Sequence, residues 1–221
     1  MILPRPPRAV VFDMDGLLFD TEKLYRRATI AAIAEHGREL PESFYASVVG
    51  LSGPAIQIAF RERLGEDFDF TGLWKVATGH VQRLIESELQ LKPGAVELLD
   101  ALEARNLPRA IATSSRREMV DRYLGLHDLH PRFDLIVAQG DYARGKPHPD
   151  PYLKAAERLG LAPGDCLALE DSHHGVRSAA SAGMMTIMVP DLVAASEEMQ
   201  GLCVAVAADL HIVREIVGRS V

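Results

Sequence analysis

The sequence predicts an α/β protein, a doubly wound parallel sheet interrupted once by a small all-helical insert. Three observations carry that prediction. Short apolar runs bounded by turn residues recur along the chain, amphipathic stretches alternate with them, and one long interval, Glu22 to about Leu91, carries helical signals only. Strand–helix alternation implies parallel strands, because each crossover must return the chain across the sheet.

The strand candidates are Ala9–Phe12, Ala110–Thr113, Leu135–Ala138, Cys166–Leu169, Met185–Val189 and Cys203–Val206. Each is too short for a typical helix, and their near-continuous apolar character fits strands buried on both faces. Between them, Gly94–Asn106 places Val96, Leu98, Leu99 and Leu102 at helical spacing, and Arg116–Gly125 does the same with Met119, Val120, Tyr123 and Leu124. Pro151–Leu159 opens on proline after Asp150, an expected N-cap. Gly175–Ala182 is rich in alanine, which suits close packing on a sheet. Residues 1–21 and 92–221 are thus expected to form a Rossmann-like core. Residues 22–91 form the insert, with helices around Ala28–Ala34, Ile56–Leu64 and Leu73–Ile85 and hinges near Thr21–Glu22 and Leu91–Pro93. Trp74 is expected in the core of the insert.

Composition narrows the function. The 221 residues carry 24 Lys+Arg against 31 Asp+Glu, a net charge of −7, with no Lys/Arg-rich run. That balance disfavours nucleic acid and anionic membrane as partners. The two cysteines, Cys166 and Cys203, make neither a disulfide framework nor a zinc motif, and Cys166 reads as a buried thiol. Ser43–Phe60 is long and uncharged, but Ser47, Gly50, Ser52, Gly53, Pro54 and Gln57 interrupt it, which argues against a membrane span. A cytoplasmic protein, monomeric or weakly homo-oligomeric, is the expectation.

The chemistry collects after the strands. Asp13-Met14-Asp15-Gly16-Leu17-Leu18-Phe19-Asp20-Thr21 follows the first. Ligands of open α/β sheets sit at the carboxyl ends of strands. Asp13 and Asp15 share that place, and two close carboxylates call for a cation, Mg2+ being the natural hard ion for oxygen ligands. Thr113-Ser114-Ser115 follows the second strand, offering hydroxyls and amides to phosphoryl oxygens, or an ST-turn or N-cap to the next helix. Lys146 lies in Arg144-Gly145-Lys146-Pro147-His148-Pro149 after the third strand, and Glu170-Asp171-Ser172 follows the fourth, with N-capping the plainer role for the latter. His148, His173 and His174 read as loop or helix-start residues. Four carboxylates and one lysine leave the site strongly negative without a divalent cation, so a phosphate dianion needs the metal to bind.

Read together, these segments resemble the four motifs of the haloacid dehalogenase-like hydrolase superfamily. Asp13 to Glu22 is similar to the first, Thr113-Ser114 to the second, Lys146-Pro147 to the third, and Glu170-Asp171-Ser172 with Gly175 to the fourth. The order and spacing match over essentially the whole chain. The insert resembles the helical cap of the group containing β-phosphoglucomutases and small sugar-phosphate phosphatases. The resemblance implies Asp13 as nucleophile, forming an aspartyl-phosphate, and Asp15 as acid and base. It implies Mg2+ held by Asp13, the backbone carbonyl of Asp15, and Asp171, with Glu170 completing the shell directly or through water. Thr113, Ser114 and Lys146 would hold the phosphoryl group, and Lys146–Pro147 is expected to be cis. Dehalogenases of the superfamily lack an aspartate matching Asp15, so dehalogenation is not expected.

The insert separates phosphatase from mutase. Similar phosphoglucomutases carry a histidine where this chain has Tyr25, and a cap arginine in Gly-x-Ser-Arg where it has Gly50-Leu51-Ser52-Gly53. A mutase needs a second cationic site, for which Arg26, Arg27 or Lys75 are the substitutes at hand. Both departures favour a phosphatase acting on a small phosphorylated substrate, a sugar phosphate or nucleoside monophosphate. Asp20-Thr21-Glu22 and Met184–Asp191 look closest to phosphatases of that kind. Thr21, Tyr25, Gly50, Gly53 and Lys75 are the expected substrate contacts outside the core motifs. A mutase of the β-phosphoglucomutase type and a non-catalytic sugar-phosphate sensor are the competing readings.

Overall fold

The computed structural model of the chain describes residues 3–48, 53–65 and 68–220. Two compact units divide it, Met1–Asp20 with Leu91–Val221, and Thr21–Gln90. Chain order runs β1 (Ala9–Phe12), α1 (Thr21–Glu35), α2 (Glu42–Val48), α3 (Gly53–Leu64), α4 (Phe70–Glu88), α5 (Ala95–Glu103), β2 (Arg109–Arg116) and α6 (Arg117–Leu126). It continues with β3 (Leu135–Gln139), α7 (Asp150–Leu159), β4 (Cys166–Glu170), α8 (His173–Ser181), β5 (Met185–Met188), α9 (Glu197–Leu202), β6 (Ala205–Val206) and α10 (Leu210–Gly218).

The first unit is a six-stranded sheet in the order β3-β2-β1-β4-β5-β6, parallel at every pairing. Helices flank it, as the alternation predicts. Its strands are apolar throughout because both faces are covered: all four residues of β1 are buried, as are all five of β4. Small side chains let helices approach one face. Ala155, Ala156 and Ala179 of α7 and α8 pack with Ala9, Val11, Ala110, Ala112 and Ala168 of the sheet. Phe12 meets Phe133 edge-on, ring centroids 5.7 Å apart.

Two expectations shift. The last strand is shorter than Cys203–Val206, because the Cys203 N–H donates to Met199 O and closes α9. Asp150 does not cap α7: it is the first helical residue, Pro149 takes the cap position, and Arg144 claims the carboxylate through Nη2 at 2.9 Å and Nε at 3.2 Å. A charged guanidinium with two donors outcompetes a single backbone N–H. Beyond β3, at the sheet's edge, Arg117 and Arg158 both donate to the Ile136 carbonyl, at 2.9 and 3.1 Å, and both hold Asp141.

The second unit is built of α1–α4, and its described residues contain no strand. Ala32, Ile33, Leu40, Val48, Phe60, Leu64, Leu73 and Ala77 form its core. Arg27 and Glu88 tie α1 to α4 through two hydrogen bonds, and Asp69 caps α4 by accepting from the Gly72 N–H. Trp74 departs from expectation. It is half exposed and lies flat against Phe70, centroids 5.6 Å apart, rather than in the core. It shares a helix face with the buried Ala77 and Val81, but its ring borders the pocket that Tyr45 and Phe60 also line instead of entering the core. Among the described residues no helix is long and apolar enough to cross a membrane.

Tight junctions join strand to helix at the end of β4. The chain turns from Glu170 into α8 within two residues, and Ser172 caps the helix by accepting from the Gly175 N–H at 3.1 Å. Gly175 lies against the Glu170 carboxyl group: a Cβ there would stand 1.8 Å from Glu170 Cδ. Gly175→Ala would gain about 1 kcal/mol at an ordinary helical position. Here it is expected to destabilise by about 1–3 kcal/mol, because buried Glu170 has no space to yield. Thermal melting of the full chain measures this; an unchanged or raised Tm would contradict the packing.

Candidate active site

In a sheet of this order the crossovers diverge on either side of β1 and β4, and a crevice opens at their carboxyl ends. Asp13 follows β1 and Glu170 ends β4. The strands are paired, Phe12 opposite Leu169, and the Asp13 N–H donates to Leu169 O at 2.9 Å. Lys146 arrives on the loop after β3. Its Nζ donates to Asp13 Oδ1 at 2.5 Å and to Glu170 Oε1 at 2.6 Å, with the lysine side chain 7% exposed. The loop is stapled on both sides of the lysine. Arg144 is held by Asp150, and Ser178 Oγ donates to the His148 carbonyl. The Lys146–Pro147 bond is cis, as the resemblance implies.

Glu170 is fully buried and engaged at both oxygens. Oε1 accepts from Lys146 and from Tyr152 Oη, each at 2.6 Å. Oε2 accepts from the Asp171 N–H at 3.1 Å, the Ser172 N–H at 3.4 Å and Ser172 Oγ at 3.2 Å. Tyr152 also lies under the lysine, with Nζ 5.2 Å from the ring centroid. Burial lifts the Tyr152 phenol well above its usual range, and Glu170 adds to the lift, so the hydroxyl remains a donor. Burial also raises the Asp13 carboxyl, an effect that Lys146 opposes and Glu170 and Asp15 reinforce. For Lys146 burial acts downward, but Asp13 and Glu170 outweigh it and hold the ammonium raised. Lys146 therefore keeps its proton, and Asp13 is the member of the pair that gains from a further positive charge.

A hard oxygen cluster stands at that point. Asp13, Glu170 and Asp171 each place a carboxylate oxygen within 4.8 Å of the others. This donor set fits Mg2+ in kind. The protein's own donors occupy both Glu170 oxygens, and Lys146 takes Asp13 Oδ1; Asp13, Glu170 and Asp171 together are the residues that could hold a cation. Asp15 carries its carboxylate elsewhere: Ser115 Oγ donates to its Oδ2 at 2.7 Å. Gly16 makes the intervening turn at φ +82° and leaves space that Asp171 fills, since a Cβ would lie 2.3 Å from Asp171 Oδ2.

The hydroxyl segment divides its duties. Thr113 is buried and accepts from the Ser115 N–H at 3.0 Å, the ST-turn arrangement, whereas Ser114 is exposed. Neither caps α6, whose cap position is Arg116 without a side-chain bond. His173 and His174 begin α8, and His148 is an exposed loop residue.

In the second unit, Thr21 is buried at the start of α1, and Tyr25 lines a pocket with Glu22, Thr29, Tyr45, Phe60 and Trp74 among others. The described lining contains neither lysine nor arginine. Lys75 is exposed and does not contribute to that lining. Arg27 is paired with Glu88. Gly53 begins α3, and Gly50, Leu51 and Ser52 lie outside the described residues.

Two contacts escape a reading of the motifs. Tyr152 sits inside a predicted helix, and its only signal is a phenol among buried alanines, which must find a partner. Ser115 stands third in a run of hydroxyls, and sequence alone does not say which of them reaches Asp15.

Comparison with known proteins identifies the family. A family model described as haloacid dehalogenase-like hydrolase matches residues 7–183. A Drosophila melanogaster protein named probable pseudouridine-5'-phosphatase is 37% identical over 187 residues, covering 82% of this chain and 80% of its own. Hexitol phosphatase B of Escherichia coli (strain K12) is 32% identical over 199 residues, covering 86% of each chain. A hydrolase of the same family from Deinococcus radiodurans R1, crystallised with bound phosphate and sodium, superposes with a TM-score of 0.81 at 25% identity. It matches 97% of this chain and 96% of its own. With residues 7–183, most of its length, matched by the family model, the chain belongs to the haloacid dehalogenase-like hydrolases.

Proposed function

We propose that the chain is a Mg2+-dependent phosphatase. It hydrolyses a small phosphorylated metabolite, a sugar phosphate or nucleoside monophosphate, through an aspartyl-phosphate on Asp13. Relatives named as phosphatases support a phosphoric monoester hydrolase. The observation that carries the finer reading is Lys146, buried between Asp13 and Glu170 at the junction of β1 and β4.

Asp13 attacks phosphorus, forming the Asp13 O–P bond as the bond to the leaving alkoxide breaks. Asp15 delivers a proton to that alkoxide, then takes one from the water that attacks the phosphoenzyme, so inorganic phosphate leaves and Asp13 is regenerated. Ser115, donating to Asp15 Oδ2, holds that carboxyl in place. Lys146 and the Thr113–Ser114 segment take the phosphoryl oxygens and balance the developing charge. Asp13 and Asp171, with the backbone carbonyl of Asp15, would hold Mg2+. The cation would offset the negative charge that otherwise repels a phosphate dianion. Glu170 serves this shell through its charge and its grip on Lys146.

Water, rather than a second sugar hydroxyl, completes the reaction. A mutase must retain a bisphosphorylated intermediate on a second cation. Arg27 is bound to Glu88 and Lys75 does not line the pocket around Tyr25, which leaves Arg26, whose charge reaches Tyr45 of that pocket, as the one candidate of the three.

Inorganic phosphate release, measured with Mg2+ across sugar phosphates, nucleoside monophosphates and β-glucose 1-phosphate, tests the reading. Release is expected, is abolished by Asp13→Asn or excess chelator, and falls by about 10²–10⁴-fold in Asp15→Asn. Isomerisation of β-glucose 1-phosphate without release would make the chain a mutase, and ligand binding without turnover would make it a sensor.

Mg2+ affinity should also depend on pH. Asp13 would hold the cation through its carboxylate, whose affinity for protons burial has raised. Protons therefore compete below that raised value, and affinity climbs as pH rises through it. Calorimetric titration at several pH values measures this; an affinity flat from pH 6 to 9, on the order of three units, would contradict it.

A further inference from the structure

One carboxylate beside this site is absent from the motifs. Asp191 follows β5, with its side chain 9% exposed. Lys92 Nζ donates to its Oδ1 at 2.8 Å, while Oδ2 is buried and accepts no hydrogen bond. Oδ2 points to the acidic cluster. The position a Gly16 Cβ would take is 2.3 Å from Asp171 Oδ2 and 3.5 Å from Asp191 Oδ2, so the two oxygens converge on the same bare glycine. Lys92 is itself fixed to the loop carrying Asp13 and Asp15, since its N–H donates to the Leu18 carbonyl at 2.9 Å.

A buried carboxylate oxygen without a donor is costly, and two convergent carboxylates repel. Lys92 answers only the far oxygen. What the near oxygen requires is a donor that carries positive charge and lies toward Asp171, and the water around a hydrated divalent cation supplies both. We infer that Asp191 is a positioning residue for the cation: Oδ2 accepts from water of its hydration shell, and Lys92 holds the carboxylate at that angle. The inference rests on the Mg2+ reading above.

Calorimetric titration of Mg2+ into the metal-free chain tests this without turnover. Asp191→Asn keeps the volume but loses the charge, and it is expected to weaken Mg2+ binding about 10–100-fold. Asp191→Ser is titrated beside it, so that misfolding of one variant does not end the test. The Mg2+-induced rise in Tm, taken for each variant against its own metal-free Tm, should shrink in parallel. A purely structural Asp191 would lower the metal-free Tm and leave the Mg2+ Kd within about twofold of the parent chain, less than outer-shell loss produces, and that result overturns the inference alone. A parent chain that takes up no Mg2+ overturns both the inference and the reading beneath it.

Discussion

An ammonium group buried between two carboxylates is the constraint around which the first unit is arranged. Lys146, Asp13 and Glu170 bring three charges out of water, and such groups persist only if their remaining donors and acceptors are met. The surroundings meet them one by one. Tyr152 and the turn at Ser172 fill the Glu170 acceptors, Gly175 gives the carboxyl group room, and the Arg144–Asp150 pair holds the lysine's loop. Loss of one charged partner from such an arrangement costs about 3–5 kcal/mol, because the others remain buried. The same arrangement leaves an excess negative charge beside Asp171, and that excess is what makes a divalent cation a natural companion.

Topology makes this possible at little local cost. β1 and β4 lie far apart in sequence but adjacent in the sheet, so Asp13 and Glu170 meet through backbone pairing rather than through long side chains reaching across a gap. The charged centre therefore rests on two paired strands that are buried throughout. Precision of this kind is what nucleophilic chemistry demands of its scaffold.

How much of this was legible in the sequence depended on the range of the interaction. The strands announced themselves as short apolar runs, and Asp13, Lys146 and Glu170 stood at their ends in motif order. Local capping was harder. Asp150 before Pro151 reads as a cap until Arg144, six residues earlier, is seen to take its carboxylate. Trp74 reads as core by its type, yet its ring stacks on Phe70 at the edge of a pocket. Tyr152, Ser115 and Asp191 act through contacts across 18, 100 and 99 positions, and no spacing rule reaches that far.

The arginines beyond β3 serve a different end. An outermost strand presents unpaired carbonyls that can template pairing with another chain. On β3 the Ile136 carbonyl is already occupied by Arg117 and Arg158, with Asp141 anchoring both. A foreign strand would have to displace two charged donors and lay its backbone beside guanidinium groups. The opposite margin, β6, is only two residues long and offers little to extend. A sheet apolar enough to bury both faces thus hinders strand addition at its two margins by different means, charge on one and brevity on the other.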